Sequence, residues 1–226
     1  VVLPQLSRHV NNNENEKISL IQNKALELSL FLSLPATIAL LIASEQIMSA
    51  LFGYGSFDKI SVQNSSKALF YFALGLPAFS LIKVFSSFYF ARHNTKLPFY
   101  ISLVSVLLNI LVSIIFFKKI GFIIIPIATT ISSWFNSILL FIFLKKDNFF
   151  SFNLVFVSRF FRILFSSTIM GFLFYYLITF FKTNLAYDQS LKSVFLIGIV
   201  IVGLISYLLI ALLIKAFKIN DINLKY

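Results

Sequence analysis

Cysteine is absent from this sequence, histidine occurs twice, and only eight of its 226 residues are acidic. Without cysteine there is no disulfide, no thiol nucleophile and no cysteine metal site, and the redox compartment leaves no mark. His9 and His93 fall in different loops, and no H-x-x-E-H, G-x-S-x-G or phosphate-loop pattern occurs. Paired carboxylates for acid–base chemistry within the apolar segments are also lacking. These absences argue against an enzyme and leave no cofactor or metal to expect. The chain opens on "VVLPQLSRHV", with neither an initiator Met nor the basic leader of a signal peptide. That opening leads us to expect a piece of a longer protein.

What is present is apolar. Hydrophobic residues make up 59% of the chain and charged ones 12%, with a mean hydropathy of +0.92. Soluble domains are about a quarter charged, so the composition is that of a membrane protein. The 29 Phe point the same way, because a soluble core of this size would leave many of those rings in exposed patches. The formal charge of +11 is scattered between apolar blocks and never gathered into one stripe, which argues against nucleic acid.

A bilayer-crossing helix needs about 20 mostly apolar residues. Six segments qualify: 25–51, 67–91, 97–117, 121–144, 158–181 and 191–214. The expected fold is therefore all-α, a polytopic bundle of six membrane-spanning helices. Separators as short as "RHNTK" and "KKIG" make consecutive helices antiparallel neighbours. Residues 1–24 read as a loop leading into the first span, and 146–157 as a second loop on the same side. Twelve Lys and Arg lie on the side of the two termini, Lys218 and Lys225 among them, against six on the other. The positive-inside rule then puts both termini in the cytoplasm.

Polar residues inside the spans are ordered. Ser102, Ser105, Asn109 and Ser113 share one face of the third span, and Thr129, Ser132 and Asn136 one face of the fourth. In the second, Ser80, Lys83 and Ser87 align. Such stripes serve either as hydrogen-bonding contacts between helices or as walls of a polar cavity. Lys83 is the sharpest case, because a charge at the bilayer centre costs about 2.5–3.5 kcal/mol on the translocon scale. Arg92 is nine residues away, roughly 13 Å of helix, too far for the lysine to snorkel fully. An inward-facing Lys83, lining a cavity or paired with an acid, is expected. Arg92 and Lys96 stand as a basic pair on the headgroup side, open to reading as lipid contacts or as an ordinary flanking loop. The last two spans lack a polar stripe, which suggests a four-helix unit over 25–145 and a peripheral pair over 158–226. Pro35, Pro77 and Pro126 each fall within a span and are expected to kink it.

Three stretches together are familiar: "LPQLSRH" at 3–9, "LPATIALLIASEQIMSALFGYGSF" at 34–57 and "YFALGLPAFSLIKVFSSFYFARHNTKLPFYISLVSVLLNI" at 71–110. In order and spacing they resemble the C-terminal part of the MurJ/MviN lipid II flippase family, of the multidrug/oligosaccharidyl-lipid/polysaccharide exporter superfamily. The resemblance covers about residues 1–145. It implies that the chain corresponds to the last six of fourteen transmembrane helices in a bacterial inner-membrane protein. It further implies movement of undecaprenyl-pyrophosphate-linked peptidoglycan precursor to the outer leaflet by alternating access, with membrane lipids and the N-terminal helices as partners. The last two helices would border a groove for the lipid tail. Lys83 matches the family's K-V position and Arg92 its A-R position. Tyr54 stands where the family commonly has arginine in F-x-R-G-x-F, and the pyrophosphate-gripping arginines belong to helices outside this chain. Another exporter of the superfamily, carrying O-antigen or teichoic-acid precursors or exchanging drugs for cations, and a membrane scaffold without transport are the alternatives.

Overall fold

The structure is a computed structural model that describes residues 2–12 and 14–216. Lys218 and Lys225, counted above for orientation, lie outside the described residues. Seven α-helices follow in order: α1 (Val2–Asn11), α2 (Asn15–Phe52), α3 (Lys59–Phe90), α4 (Lys96–Ile120), α5 (Ile124–Lys146), α6 (Leu154–Phe180) and α7 (Lys192–Leu213). The six expected spans fall on α2 to α7, and no strand occurs among the described residues. Among the described residues, five stretches are long and apolar enough to cross a membrane. One of them, Lys96–Lys146, contains both α4 and α5. An all-helical solution is what a lipid solvent demands, because each helix satisfies its own backbone N–H and C=O groups.

The helices outrun the apolar blocks that signalled them. α2 begins at Asn15, ten residues before the expected span, and together with α1 it occupies most of the segment expected to be a loop. α3 begins at Lys59, inside a stretch that reads as polar separator. Asp58 caps it by accepting the Ser61 backbone N–H at 2.8 Å. Hydrogen bonding from Ser61 holds the Asp58 carboxyl below its ordinary range. Glu14, before α2, is likewise lowered, by Lys17 and then His9.

The proline expectation is met differently. α5 starts at Ile124, so Pro126 sits in the first turn, where its missing N–H costs no helical bond. α3 runs on through Pro77. α2 contains Pro35, but its non-helical residue is Ala43 (φ −114°, ψ 23°), eight residues further on.

Backbone proximity groups the residues into two compact units. One unit comprises residues up to 33 together with 75–158, the other 34–74 together with 159 onwards. Within the first, α4 and α5 form an antiparallel hairpin that turns through a short 3-10 segment, Gly121–Ile123. Gly121 at φ 73° takes the left-handed conformation the reversal needs. Within the second, α6 and α7 pack antiparallel, and α6 lies close against α2. A Cβ placed on Gly171 of α6 would stand 2.6 Å from the Ile38 Cγ2 of α2.

That contact gives a test. Gly171→Ala must displace a branched side chain and should destabilise the full-length parent protein by about 1–3 kcal/mol, the usual cost of overpacking. Gly198→Ala meets nothing within 4 Å and gains up to about 1 kcal/mol of helix propensity. Thermal unfolding in detergent should therefore move in opposite directions for the two.

Candidate functional site

The polar stripes of α4 and α5 meet. Asn109 Nδ2 donates to Thr129 Oγ1 at 3.1 Å and to Ser132 Oγ at 3.3 Å, and Asn136 Nδ2 donates to Ser102 Oγ at 3.3 Å. The pairs 109/129 and 102/136 lie in one antiparallel register. Ser105 returns its hydroxyl to Ile101 O, and Thr129 to Ile125 O. The seam is an interhelical ladder of the kind that substitutes for water in lipid. Asn136 is buried, and its Oδ1 has no partner among the described residues. It is not on an open wall.

The Ser80, Lys83, Ser87 stripe behaves otherwise. Ser80 and Ser87 are half-buried, Lys83 is exposed, and Ser87 bonds only its own helix, at Val84 O. Lys83 makes no hydrogen bond or ion pair among the described residues. The ion-paired form of the expectation thus has no partner within this chain's described part.

Arg92 is half-buried, and its guanidinium is occupied. Nη1 donates to Phe88 O at 2.8 Å, Nη2 to Phe149 O at 3.1 Å, and the group lies 4.4 Å from the centre of the Phe149 ring. Burial lowers its pKa from the ordinary arginine value. Gln22 donates to the same Phe149 carbonyl at 2.9 Å, and Asn23 to Ser151 O at 3.0 Å. These contacts clasp the segment 147–153, which reads as polar in sequence. Its Phe150 and Phe152 rings pack against each other at 4.9 Å and reach Phe88 and Phe141. Arg92 is therefore a structural tie at the end of α3. Lys96, expected beside it, is exposed at the start of α4.

The most enclosed cation was not singled out by sequence. Lys192 is only 1% exposed. Its Nζ donates to Gly53 O and to Tyr187 O, each at 2.7 Å, and stands 4.3 Å and 4.6 Å from the Tyr54 and Tyr187 ring centres. Tyr54 shares a 2.6 Å hydrogen bond with Ser193, which donates to Ala50 O. Tyr187 donates to Phe57 O at 2.8 Å. The ammonium thus pins the α2–α3 loop to the start of α7 through carbonyls and ring faces. Its sole sequence signal is a lysine bordering an apolar run, which snorkelling explains as readily.

Lys192→Met would leave two carbonyls without their donor and should lower the stability of the full-length parent by about 1–3 kcal/mol. Lys182→Met, at an exposed position, should leave the melting temperature within error.

A family model described as "Lipid II flippase MurJ" matches residues 1–196. A probable lipid II flippase MurJ of Rhizobium tropici is 31% identical over 229 residues, covering 100% of this chain and 43% of the relative. One of Thermotoga maritima is 33% identical over 194 residues, covering 86% of this chain and 37% of the relative. A solved structure, "Lipid II flippase MurJ, inward closed conformation", superposes with a TM-score of 0.74 at 28% identity, over 93% of this chain and 41% of that one. The chain spans less than half the length of these relatives. Across that span, in sequence and in fold, the chain belongs to the MurJ lipid II flippase family.

Proposed function

We propose that this chain serves as the C-terminal portion of a lipid II flippase. In that reading the whole protein moves the undecaprenyl-pyrophosphate-linked peptidoglycan precursor from the inner to the outer leaflet by alternating access, in a bacterial inner membrane. The observation that carries the reading is the family match along residues 1–196, supported by the structural similarity over 93% of the chain. The superfamily's other exporters are not what the matching relatives are named for. Both ends of the chain face the cytoplasm in this reading, which rests on the Lys and Arg bias.

Among the residues expected to line the path, Lys83 is the one we retain as a cavity cation. It is exposed within the apolar part of the 32-residue helix α3, seven residues before its end, and has no partner among the described residues. An intramembrane charge of that kind is favoured where it faces water, substrate or protein, and disfavoured in lipid. Ser80 and Ser87 flank it on the same face. Asn109 and Asn136 we assign to holding the α4–α5 hairpin, because their amide donors are spent on each other's helix. Arg92 positions the 147–153 segment, which leaves Lys96 as the freer cation on the headgroup side. The partners of the chain are then membrane lipid, the lipid-linked precursor and the N-terminal helices of the same protein.

A chimaera tests this directly. Grafting the chain in place of the corresponding segment of a full-length relative should restore growth to cells depleted of their flippase. In that chimaera Lys83→Leu should reduce precursor export at least about tenfold at normal abundance, equivalent to losing roughly 1.4 kcal/mol of interaction, while Lys83→Arg retains most of it. A chimaera that inserts normally but never supports export would count against the assignment. Full export by Lys83→Leu would instead remove Lys83 from the path.

A further inference from the structure

Glu45 is the last carboxylate of α2, exposed within the span expected at 25–51. It lies seven residues before the helix ends at Phe52, roughly 10 Å of helix. Its carboxylate makes no hydrogen bond or ion pair among the described residues. The half-buried side chains of Ser44 and Gln46 make none either, and the buried Ser49 hydroxyl, one turn on, is also without a partner there. Serines elsewhere in the chain behave differently: Ser105, Ser133 and Ser167 return their hydroxyls to a carbonyl four residues back. The polar run 44–49 is thus left open, directly after the non-helical Ala43 (φ −114°, ψ 23°).

Glu45 belongs to the compact unit of residues 34–74 and 159 onwards. Within that unit Lys192 gives its protons to Gly53 O and Tyr187 O. Lys67 lies eight residues into the antiparallel α3, at a depth similar to that of Glu45, yet the two form no ion pair. A carboxylate within a span is costly in lipid and is found where it meets a cation, water or protein. No group of three acidic or histidine side chains that could hold a metal ion occurs among the described residues. Glu45 presents a single negative charge, which one Lys or Arg side chain balances, an arginine fork fitting it with two hydrogen bonds. The relatives have ample length to supply that side chain, since the chain covers 43% of one and 37% of another.

We infer that Glu45 is a docking point for the N-terminal part of the parent protein, and that it pairs with a Lys or Arg on a helix outside this chain. The inference rests on the reading of the chain as the C-terminal portion of a longer transporter. It deepens that reading by naming the residue and the charge through which the two parts meet.

The test uses the full-length parent in native membranes, other thiols removed. Glu45→Cys is combined in turn with Cys at each Lys and Arg position of the N-terminal helices. Oxidation should link position 45 to one of these positions, read as an intramolecular cross-link after cleavage between the two parts. No cross-link at any position overturns the docking point. This readout is independent of export, so it separates the pair from the flippase reading, which fails on export alone.

Charge reversal supplies the second readout. Glu45→Lys should cut precursor export at least about tenfold at normal abundance, because like charges then face each other away from bulk water. Changing the cross-linked cation to Glu should restore most of it. Should Glu45→Lys fail to accumulate, Glu45→Gln replaces it, with a smaller loss expected. Undiminished export by the variant assayed overturns the inference. Rescue of Glu45→Lys by Lys67→Glu also overturns it, because the partner would then lie within this chain.

Discussion

A polar group inside the hydrocarbon layer has no water to fall back on, and this one constraint orders the chain. It forces every span into a helix, since only a helix closes its backbone hydrogen bonds within the segment. It also decides which side chains can sit within those helices. Ser105, Thr129, Ser133 and Ser167 return their hydroxyls to a carbonyl four residues back. An amide has two N–H groups and a carbonyl to satisfy, and Asn109 and Asn136 reach across to the facing helix. Each such bond contributes only about 0.6 kcal/mol on average, yet two of them in the same register suffice to favour one alignment of α4 on α5 over a slipped one. The left-handed Gly121 then lets the chain reverse at that level.

The loops obey the same constraint with different materials. Arg92 and Lys192 are both enclosed cations without a carboxylate partner among the described residues, and both solve the problem alike, with two backbone carbonyls and an aromatic face. Carbonyl oxygens at helix ends carry partial negative charge and need donors, so a cation placed there serves itself and the helix end together. Each tie immobilises a connection: residues 147–153 in one unit, residues 53–57 in the other. Lys83 has no such arrangement. It stands in the apolar part of α3, two turns before the helix ends, with its charge turned outward, which is favoured where that face meets something polar.

Much of this was legible in the sequence, and the rest was hidden for definite reasons. Six apolar runs announced six helices because twenty apolar residues in lipid have no other structure. The matching intervals of Ser102, Asn109, Thr129 and Asn136 announced a contact between adjacent helices. Helix ends were misjudged at Asn15 and Lys59, because a helix continues past the membrane on propensity and a cap, neither of which hydropathy registers. The segment "KKDNFFSFN" reads as a polar loop by its charges, whereas its phenylalanines are what pack. Lys192 was invisible, since its ligands are main-chain carbonyls that no sequence pattern encodes. The two-unit grouping divides α2 and α3 partway along, beside Pro35 and Pro77, whose placement marks a helix irregularity without saying which neighbours each half takes.

The central claim is that Lys83 faces an aqueous cavity rather than lipid, and solvent accessibility at that position tests it most directly. The chain has no cysteine, so Lys83→Cys can be labelled with a charged, membrane-impermeant thiol reagent in the full-length parent, other thiols removed. Leu107→Cys, on an exposed apolar face of α4, is the comparison. The account predicts rapid modification at 83 and little at 107, with added precursor slowing the reaction at 83. Equally slow modification at both positions would place Lys83 in lipid and contradict it.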